Sequence, residues 1–341
     1  MTRAFLLAVL AGAFTGSSGA PGRYSYSEPH MGTRFRIVLY AADEATARTA
    51  AAAAFRRIAE LDGIMTDYRA TSELMRLCGD PAALPSGPGV HVGSDLFTVL
   101  RHAQEVSRAS GGAFDVTVGP LTHLWRRARK NHQMPDAAAL QTARELVGYR
   151  KLQIDSKTHT VHLDKPGMIL DLGGIGKGYA ADAALQTLGR HGITSALVAA
   201  GGDIAVSASP PGAAGWSIGI APLDDPTATP KRYLLLHDAA VSTSGDAEQH
   251  LDVDGKRYSH IIDPRSGIGL VEDGSVTVVA PHGLSADPLT KVVSVLGADR
   301  GFPIIDSVEG ASALVVRKTG KREQSYASTR FAAVPQKLEG R

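Results

Sequence analysis

Apolar positions along this chain recur with two different periods, which predict strands and helices in a mixed order. Segment 33–40, TRFRIVLY, alternates apolar and polar residues and is rich in β-formers, so it is predicted to be a strand. From Asp43 to Leu61, apolar residues follow an N-terminal cap at helical spacing, which indicates a helix packed on a core. A similar stripe over 94–109, followed by Gly111, predicts a second helix.

The second half of the chain is dominated by short strand patterns separated by turn signals. These patterns lie at 151–155, 160–164, 167–172, 195–200, 203–208, 216–221, 232–237, 239–243, 275–280 and 313–318. Helical spacing interrupts them at 178–190 and at 285–296. Hairpins with a few helices between them, rather than regular strand-helix-strand units, predict an α+β fold with mixed and antiparallel sheets and several packed helices.

The N-terminus predicts export from the cytoplasm. Arg3 precedes a short apolar run and a tail of small residues, so residues 1–20 are interpreted as a signal peptide with an approximate cleavage site. No segment is long enough to span a bilayer after cleavage, and Cys78, the single cysteine, does not follow the signal as a lipid-bearing residue would. The mature chain is therefore expected to be periplasmic and soluble, without a transmembrane segment.

The charge of the chain bears on one class of partner, nucleic acids. The net charge is +2, and Lys and Arg do not cluster with aromatic residues. A nucleic-acid-binding surface needs such a basic cluster, so no nucleic-acid partner is expected.

A glycine-rich stretch at 171–181, DLGGIGKGYAA, has the backbone freedom that phosphate-binding turns use before a helix. A P-loop would need Gly in place of Asp171 and Ser or Thr in place of Gly178, so that motif is absent. The dinucleotide pattern is matched at 176–181, but no acidic residue follows about 20 positions later to bind a ribose. Two alternatives remain equal here: a cradle for a phosphate-bearing ligand, and a plain turn with Lys177 in solvent.

Four further segments combine uncommon residues in a short space. They are 31–33, 110–120, the pair 242–246 and 258–267, and 285–291. In their order along the chain, and together with 171–181, they resemble the family of FAD:protein FMN transferases, the ApbE family, over residues 29–317. The resemblance implies an enzyme that binds FAD, uses Mg²⁺, and transfers FMN to a Ser or Thr hydroxyl of a target flavoprotein, with AMP as the leaving group. It also implies one domain over residues 24–320, followed by a flexible tail at 321–341.

The same resemblance implies which side chains bind the flavin and which remove the proton. The implied flavin contacts are Met31, Tyr68, Ala113, Phe114, Asp115, Asp171, Lys177 and Ile262. Among them an aromatic face suits a planar ring, a carboxylate accepts hydrogen bonds, and the lysine neutralises a pyrophosphate. His260 is the implied base, with Asp263 as a second catalytic residue, because the unperturbed pKa of histidine, about 6.5, suits proton removal at neutral pH. The alternative is a strand histidine held by Asp263.

The implied Mg²⁺ ligands are Asp287, Thr290 and a carbonyl near Gly174. This chain departs from the family pattern at Lys291, where a Thr is typical, and an ammonium cannot ligate a metal that takes oxygen donors. Either the three ligands suffice with waters, or Lys291 replaces the metal electrostatically. Two other functions stay open: an FAD-binding protein without transfer, and a metal-dependent pyrophosphatase that splits FAD into FMN and AMP.

Overall fold

The structure is a computed structural model that describes residues 20–223, 229–230, 232–245, 250–271, 274–319 and 322–338. The predicted signal peptide lies outside these residues apart from Ala20. The helices are α1 (Glu44–Met65), α2 (Glu73–Gly79), α3 (Ser94–Ala109), α4 (Gly119–Asn131), α5 (Ala137–Leu146), α6 (Gly176–Arg190) and α7 (Gly283–Ser307). Within the described ranges, no helix is long and apolar enough to cross a membrane.

The strands are short and mostly joined as hairpins. In chain order they are β1 (Gly22–His30), β2 (Thr33–Ala41), β3 (Val90–His91), β4 (Leu152–Asp155), β5 (Thr160–Leu163), β6 (Ala196–Ala200), β7 (Asp203–Val206), β8 (Trp216–Ile220), β9 (Arg232–Leu236), β10 (Ala239–Gly245), β11 (His250–Val253), β12 (Lys256–Ser259), β13 (Gly274–Ala280), β14 (Ser312–Thr319), β15 (Arg322–Ala327) and β16 (Gln336–Leu338). The predicted α+β class is confirmed.

Eight strands form the central antiparallel sheet, in the order β1-β2-β6-β7-β10-β13-β14-β15. Alternation along β2 assigns its two faces: Phe35, Ile37 and Leu39 enter one apolar cluster, whereas Val38 enters another. Helices α1, α6 and α7 cover the first face. The small sheet β16-β9-β8 supplies residues such as Trp216 to the cluster on the second face. Burial on both faces explains why several strands are apolar almost throughout.

Segment 167–172 was predicted to be a strand, and that prediction is wrong. The segment begins in a turn at Gly167, where φ is +83°, and pairs with no strand. Its backbone amides donate to other parts of the chain instead. The Leu170 amide donates to Cys78 Sγ at 3.3 Å, and the Asp171 amide donates to the Val116 carbonyl at 2.8 Å. Local apolar character cannot distinguish a paired strand from an extended buried loop.

Helices α4 and α5 are two elements that the sequence does not predict. In α4 the buried positions Leu121, Trp125 and Ala128 fall on one face, but basic residues surround them and hide the stripe. Helix α7 also extends beyond its predicted end, to Ser307, through a kink at Gly297, where φ is +75°. Glycine adopts that conformation without the steric cost that other residues meet.

The predicted flexible tail contributes two strands, β15 and β16. Every residue of β15 is exposed, so this edge strand has no apolar alternation that a sequence pattern could reveal. Downstream, Phe331 is buried against the second face of the central sheet, and Ser328 Oγ accepts a hydrogen bond from the Ala313 amide at 2.8 Å. These contacts attach the segment to β14.

Helices α6 and α7 cross with their backbones in direct contact. A Cβ atom at Gly178 would lie 2.1 Å from the Gly283 carbonyl oxygen, so only glycine fits there. Asp182, one turn later on α6, accepts hydrogen bonds from the Gly283 and Leu284 amides at 2.8 and 2.9 Å. Burial raises the pKa of Asp182 despite these bonds. The crossing fixes where α7 begins relative to α6.

Replacing Gly178 with Ala should therefore destabilise the protein. The added methyl forces the two helices apart, and overpacking of this kind costs about 2 kcal/mol in free energy of unfolding. Gly189→Ala, near the end of the same helix, is the matched control, because no atom lies within 4 Å of its Cβ position. Urea denaturation should show a lower midpoint for Gly178→Ala and an unchanged or slightly higher one for Gly189→Ala; equal midpoints would contradict the close-contact explanation.

Candidate functional site

The glycine-rich loop between Leu170 and α6 is anchored at its start by Asp171. One carboxylate oxygen accepts from the Gly173 amide at 2.8 Å. The other accepts from Thr122 Oγ1 at 2.7 Å and from Arg126 Nη2 at 2.8 Å. Both donors are on α4, so this helix holds the loop in place.

Arg126 joins this loop to the segment after α1. Besides Asp171, its guanidinium binds Asp67, which also contacts His123 Nε2 at 3.0 Å. Burial alone would raise the pKa of Asp67, but the bonds and charges of His123 and Arg126 lower it overall. The guanidinium also lies 4.4 Å from the ring centroid of Tyr68, whose side chain is 75% exposed. Tyr68 thus forms an aromatic platform supported by a cation.

Lys177, in the first turn of α6, lies among carboxylates. Its Nζ is 2.9 Å from Asp203 Oδ2 and 3.6 Å from Asp287 Oδ2, and it donates to the Gly173 carbonyl at 3.0 Å. Burial alone would lower the pKa of Lys177, but the two carboxylates raise it overall. The alternative that places Lys177 in solvent is therefore wrong.

Asp203 follows the Gly201-Gly202 turn between β6 and β7 and is almost fully buried. It accepts a 2.5 Å hydrogen bond from Ser242 Oγ on β10. Burial alone would raise the pKa of Asp203, but Lys177, Lys291 and this hydrogen bond lower it overall. The carboxylate is therefore held in its charged form by groups from three elements.

A further group of the site comes from the first turns of α7. Asp287 is fully buried, and one oxygen accepts from the Gly178 amide at 3.4 Å while the other binds the Lys291 ammonium one turn later. Thr290, also fully buried, donates to the Asp287 backbone carbonyl at 2.7 Å and contacts Ser244 Oγ on β10 at 2.7 Å. Two of the predicted metal ligands, Asp287 and Thr290, therefore lie one turn apart on α7, and their side-chain oxygens already have protein partners.

The segment that carries His260 packs between α4 and α7. His260 is half-buried just after β12, and the residues on either side of it, Ser259 and Ile261, line one small cavity together with Ser244 and Val293. The role of His260 as the base stays a prediction.

Two further residues of this segment, Ile262 and Asp263, belong to the predicted site. Ile262 is buried in the apolar cluster of Trp125, whose Nε1 donates to the Gly267 carbonyl at 2.8 Å. Asp263 is bound by Arg265, which donates from its amide, Nε and Nη2 at 2.9, 2.8 and 2.8 Å. The role of Asp263 beside His260 also stays a prediction.

The remaining predicted flavin contacts reach the site from two directions. Met31 occupies the β1–β2 turn, at the same end of the sheet as Gly201, because Phe35 pairs with Ala200 in the neighbouring strand. Ala113, Phe114 and Asp115 are buried between α3 and α4. The ring of Phe114 lies 3.4 Å from the Cβ position at Gly174, beside the glycine-rich loop.

Asp115 has a local structural role. It caps the short turn after it by accepting from the Thr117 amide and hydroxyl at 2.8 and 2.7 Å, and burial raises its pKa despite these bonds. Its contact with a flavin stays a prediction.

Several residues of the site were not predicted from the sequence, among them Thr122, Arg126 and Asp203. The first two lie on α4, which was not predicted as a helix. Asp203 had a usable signal, since a Gly-Gly turn followed by an acid between two apolar strands places that acid at a sheet edge.

The assembled groups suit an anionic ligand with a planar aromatic part. Two ammonium groups, those of Lys177 on α6 and Lys291 on α7, lie at one end of the glycine-rich loop. The other end of this loop leads through Asp171 and Arg126 to the exposed ring of Tyr68. The ligand would extend from the phosphate end at α6 to the ring at Tyr68.

Known proteins are similar to this chain over most of its length. The model of the ApbE family matches residues 31–315. An FAD:protein FMN transferase from Klebsiella pneumoniae is 33% identical over 297 residues, which are 86% of this chain and 89% of that protein. Another from Treponema pallidum is 31% identical and covers 91% of this chain and 89% of its own length. The structure of the flavin transferase ApbE from Vibrio cholerae aligns with a TM-score of 0.81 at 30% identity, over 92% of this chain and all of that one.

Removal of the Arg126 side chain should cost stability in a pH-dependent way. Arg126→Ala leaves two nearly buried carboxylates without their cation, which should lower the free energy of unfolding by about 2 kcal/mol at neutral pH. Because pairing depresses the pKa of Asp67, its stabilising contribution is complete above the unfolded-state pKa of about 3.9 and is lost as pH falls through the native pKa. The difference from the unmodified protein should therefore shrink at acidic pH.

Urea denaturation at neutral and acidic pH measures this difference directly. The exposed neighbour Arg127 provides the matched control, and Arg127→Ala should change stability by less than about 0.5 kcal/mol at either pH. An Arg126→Ala deficit that stays constant down to strongly acidic pH would show that lost packing, rather than charge pairing, is responsible.

Proposed function

This chain belongs to the ApbE family, and we propose that it transfers the FMN half of FAD to a Ser or Thr hydroxyl of a target flavoprotein, releasing AMP. The observation that carries this proposal is the loop before α6, which joins the lysine at the start of that helix to an aromatic platform through Asp171 and Arg126. FAD has the two chemical parts that such a loop suits, a planar ring and a pyrophosphate.

In this proposal Tyr68 stacks on the isoalloxazine ring, and Arg126 supports the opposite face of Tyr68. Phe114, Ala113, Met31 and Ile262 supply apolar surface around the ring. Asp171 already accepts three hydrogen bonds from the protein, so its main contribution is to fix the loop on α4. A stacked aromatic pair of this kind contributes roughly 0.5–1.5 kcal/mol beyond its buried area.

The transfer step breaks one bond and forms one. The hydroxyl oxygen of the acceptor attacks the phosphorus of the FMN half, and the bond from that phosphorus to the bridging oxygen breaks, so that AMP leaves with this oxygen. His260 takes the proton of the hydroxyl. Lys177 at the start of α6 and Lys291 on α7 stabilise the charge that develops on the phosphate oxygens.

The family resemblance adds Mg²⁺, held by Gly174, Asp287 and Thr290. The residues present do not fit a divalent ion, because Lys291 binds Asp287 and lies against Gly174. A divalent ion roughly 4 Å from an ammonium is repelled by roughly 8 kcal/mol at an effective dielectric constant of about 20. No step of the proposed transfer therefore depends on a metal.

The proposed setting is the periplasm. It is supported by the signal-peptide pattern at the N-terminus, and it places the enzyme with extracytoplasmic flavoproteins as targets. The proposed partners are FAD and the acceptor protein, without nucleic acid.

The function is tested by incubating the purified chain with FAD and a candidate acceptor domain, then measuring the intact mass of the acceptor and the free nucleotides. Transfer gives an acceptor heavier by one FMN residue and an equal amount of AMP. Release of FMN and AMP without a modified acceptor would identify a pyrophosphatase, and bound FAD without AMP would identify a binding protein.

His260→Ala should slow transfer by a factor of about 10² or more, which is the usual contribution of a positioned general base. FAD affinity, measured by flavin fluorescence, should change little, because the proposed role concerns the acceptor proton. His237→Ala is the control, since that histidine is exposed in the β9–β10 turn. Transfer by His260→Ala at the unmodified rate would remove His260 from the mechanism.

A further inference from the structure

The Lys291 side chain lies between two of the residues that are expected to bind a metal, Asp287 and Gly174. It lies one helical turn after Asp287 on α7, and its ammonium binds Asp287 Oδ1. Its side-chain carbon Cε lies 3.4 Å from the Cβ position at Gly174. The side chain therefore runs from α7 across to the glycine-rich loop, and an ion at this point would have to displace it.

The charges around this position are already balanced. Asp203 and Asp287 supply two negative charges, and Lys177 and Lys291 supply two positive ones. Across the described residues, no group of three His, Cys, Asp or Glu side chains is placed to hold a metal. A divalent ion would bring two extra positive charges to a neutral cluster and would have only one carboxylate, Asp287, among its expected ligands.

The two lysines, Lys177 and Lys291, differ in how many protein acceptors surround the ammonium. Lys177 has three protein acceptors around its ammonium, two of them carboxylates. Lys291 donates to Asp287 within the described part of the chain, and its side chain is 17% exposed. An ammonium carries three N–H donors, so up to two of those on Lys291 are available to a phosphate oxygen. Lys291 is therefore the cation better placed to contact a ligand.

We infer that the ammonium of Lys291 is the resident cation of the phosphate site, and that this chain cleaves FAD without a divalent ion there. The inference rests on the proposed function and states which cation that function uses. Lys291 donates hydrogen bonds to the pyrophosphate and stabilises charge on the bridging oxygen as AMP leaves. The proton of the acceptor hydroxyl goes to His260, so lysine takes no part in proton transfer.

The first test measures metal binding alone. Mn²⁺ is the probe, its binding is followed by the loss of the free-ion electron paramagnetic resonance signal, and the protein is used with and without FAD. The unmodified chain should bind no stoichiometric Mn²⁺ without FAD. Lys291→Thr removes the ammonium and adds a hydroxyl. This variant should therefore bind one Mn²⁺ with an affinity at least about tenfold higher than that of the unmodified chain. Lys157→Thr, on an exposed turn, is the matched control and should behave like the unmodified chain.

The second test measures transfer to the acceptor in EDTA and in Mg²⁺. The unmodified chain should keep its rate in EDTA. Lys291→Thr should lose transfer in EDTA and regain it when Mg²⁺ is added. Lys291→Met, which has neither charge nor an oxygen ligand, should be slow under both conditions. Circular dichroism on each variant checks that it is folded, and the EDTA arm on the unmodified chain decides the question even if a variant does not fold.

Two results would overturn the inference. One is stoichiometric Mn²⁺ binding by the unmodified chain that Lys291→Thr does not strengthen, and the other is loss of transfer by the unmodified chain in EDTA. If no condition yields a modified acceptor, the proposed function itself fails. The Mn²⁺ titrations then still determine whether Lys291 occupies the cation position.

Discussion

The backbones of α6 and α7 touch at Gly178 and Gly283, and the arrangement of the site depends on this contact. It places the first turn of α7 against the first turn of α6, so that Asp287 reaches the Gly178 amide and Lys177. Asp182 supports the crossing by capping α7 from the side of α6. Any side chain at either glycine would separate the helices and, with them, the oppositely charged groups that each one carries.

Buried charges make this arrangement specific as well as stable. Taking Asp203 and Asp287 out of water is costly unless cations accompany them, and a half-assembled cluster would leave charges unpaired. The lysines come from α6 and α7, the carboxylates from β7 and α7, and Ser242 and Ser244 from β10. Because the pieces come from segments far apart in the chain, only the fully packed fold satisfies all of them. The same reasoning applies to Arg126 between Asp67 and Asp171.

Much of the fold could be predicted from the sequence because the central sheet and the helices α1, α3 and α6 follow simple periodic patterns. The exceptions have physical causes. In α4 the apolar stripe is interrupted by basic residues, among them Arg126 of the site. Segment 167–172 is apolar because it is buried, although it pairs with no strand. Edge strand β15 lies in solvent, so no alternation marks it. Elements that carry function or lie at an edge obey other constraints than core packing.

The candidate site was less predictable because its partners are set by tertiary contacts. The glycine-rich loop itself indicates a ligand, but the sequence does not show that Lys177 faces Asp203 or that Arg126 supports Tyr68. Those pairings join residues 26 to 58 positions apart and depend on the helix crossing and on α4. A local motif can indicate the type of chemistry, whereas the electrostatic environment of each group needs the structure.

An ammonium at the phosphate site has different consequences from a metal ion. A divalent ion is exchangeable and brings two charges, so the site depends on ion supply and must provide several carboxylates or carbonyls to hold it. A lysine is permanently attached and brings one charge with directional donors. The paired cluster at Lys291 is neutral before a substrate binds, and one N–H of the ammonium is directed at Asp287. In the proposed site, the remaining N–H donors of Lys291 are the ones that a pyrophosphate oxygen would accept from, so the lysine can contact the substrate and keep its carboxylate partner.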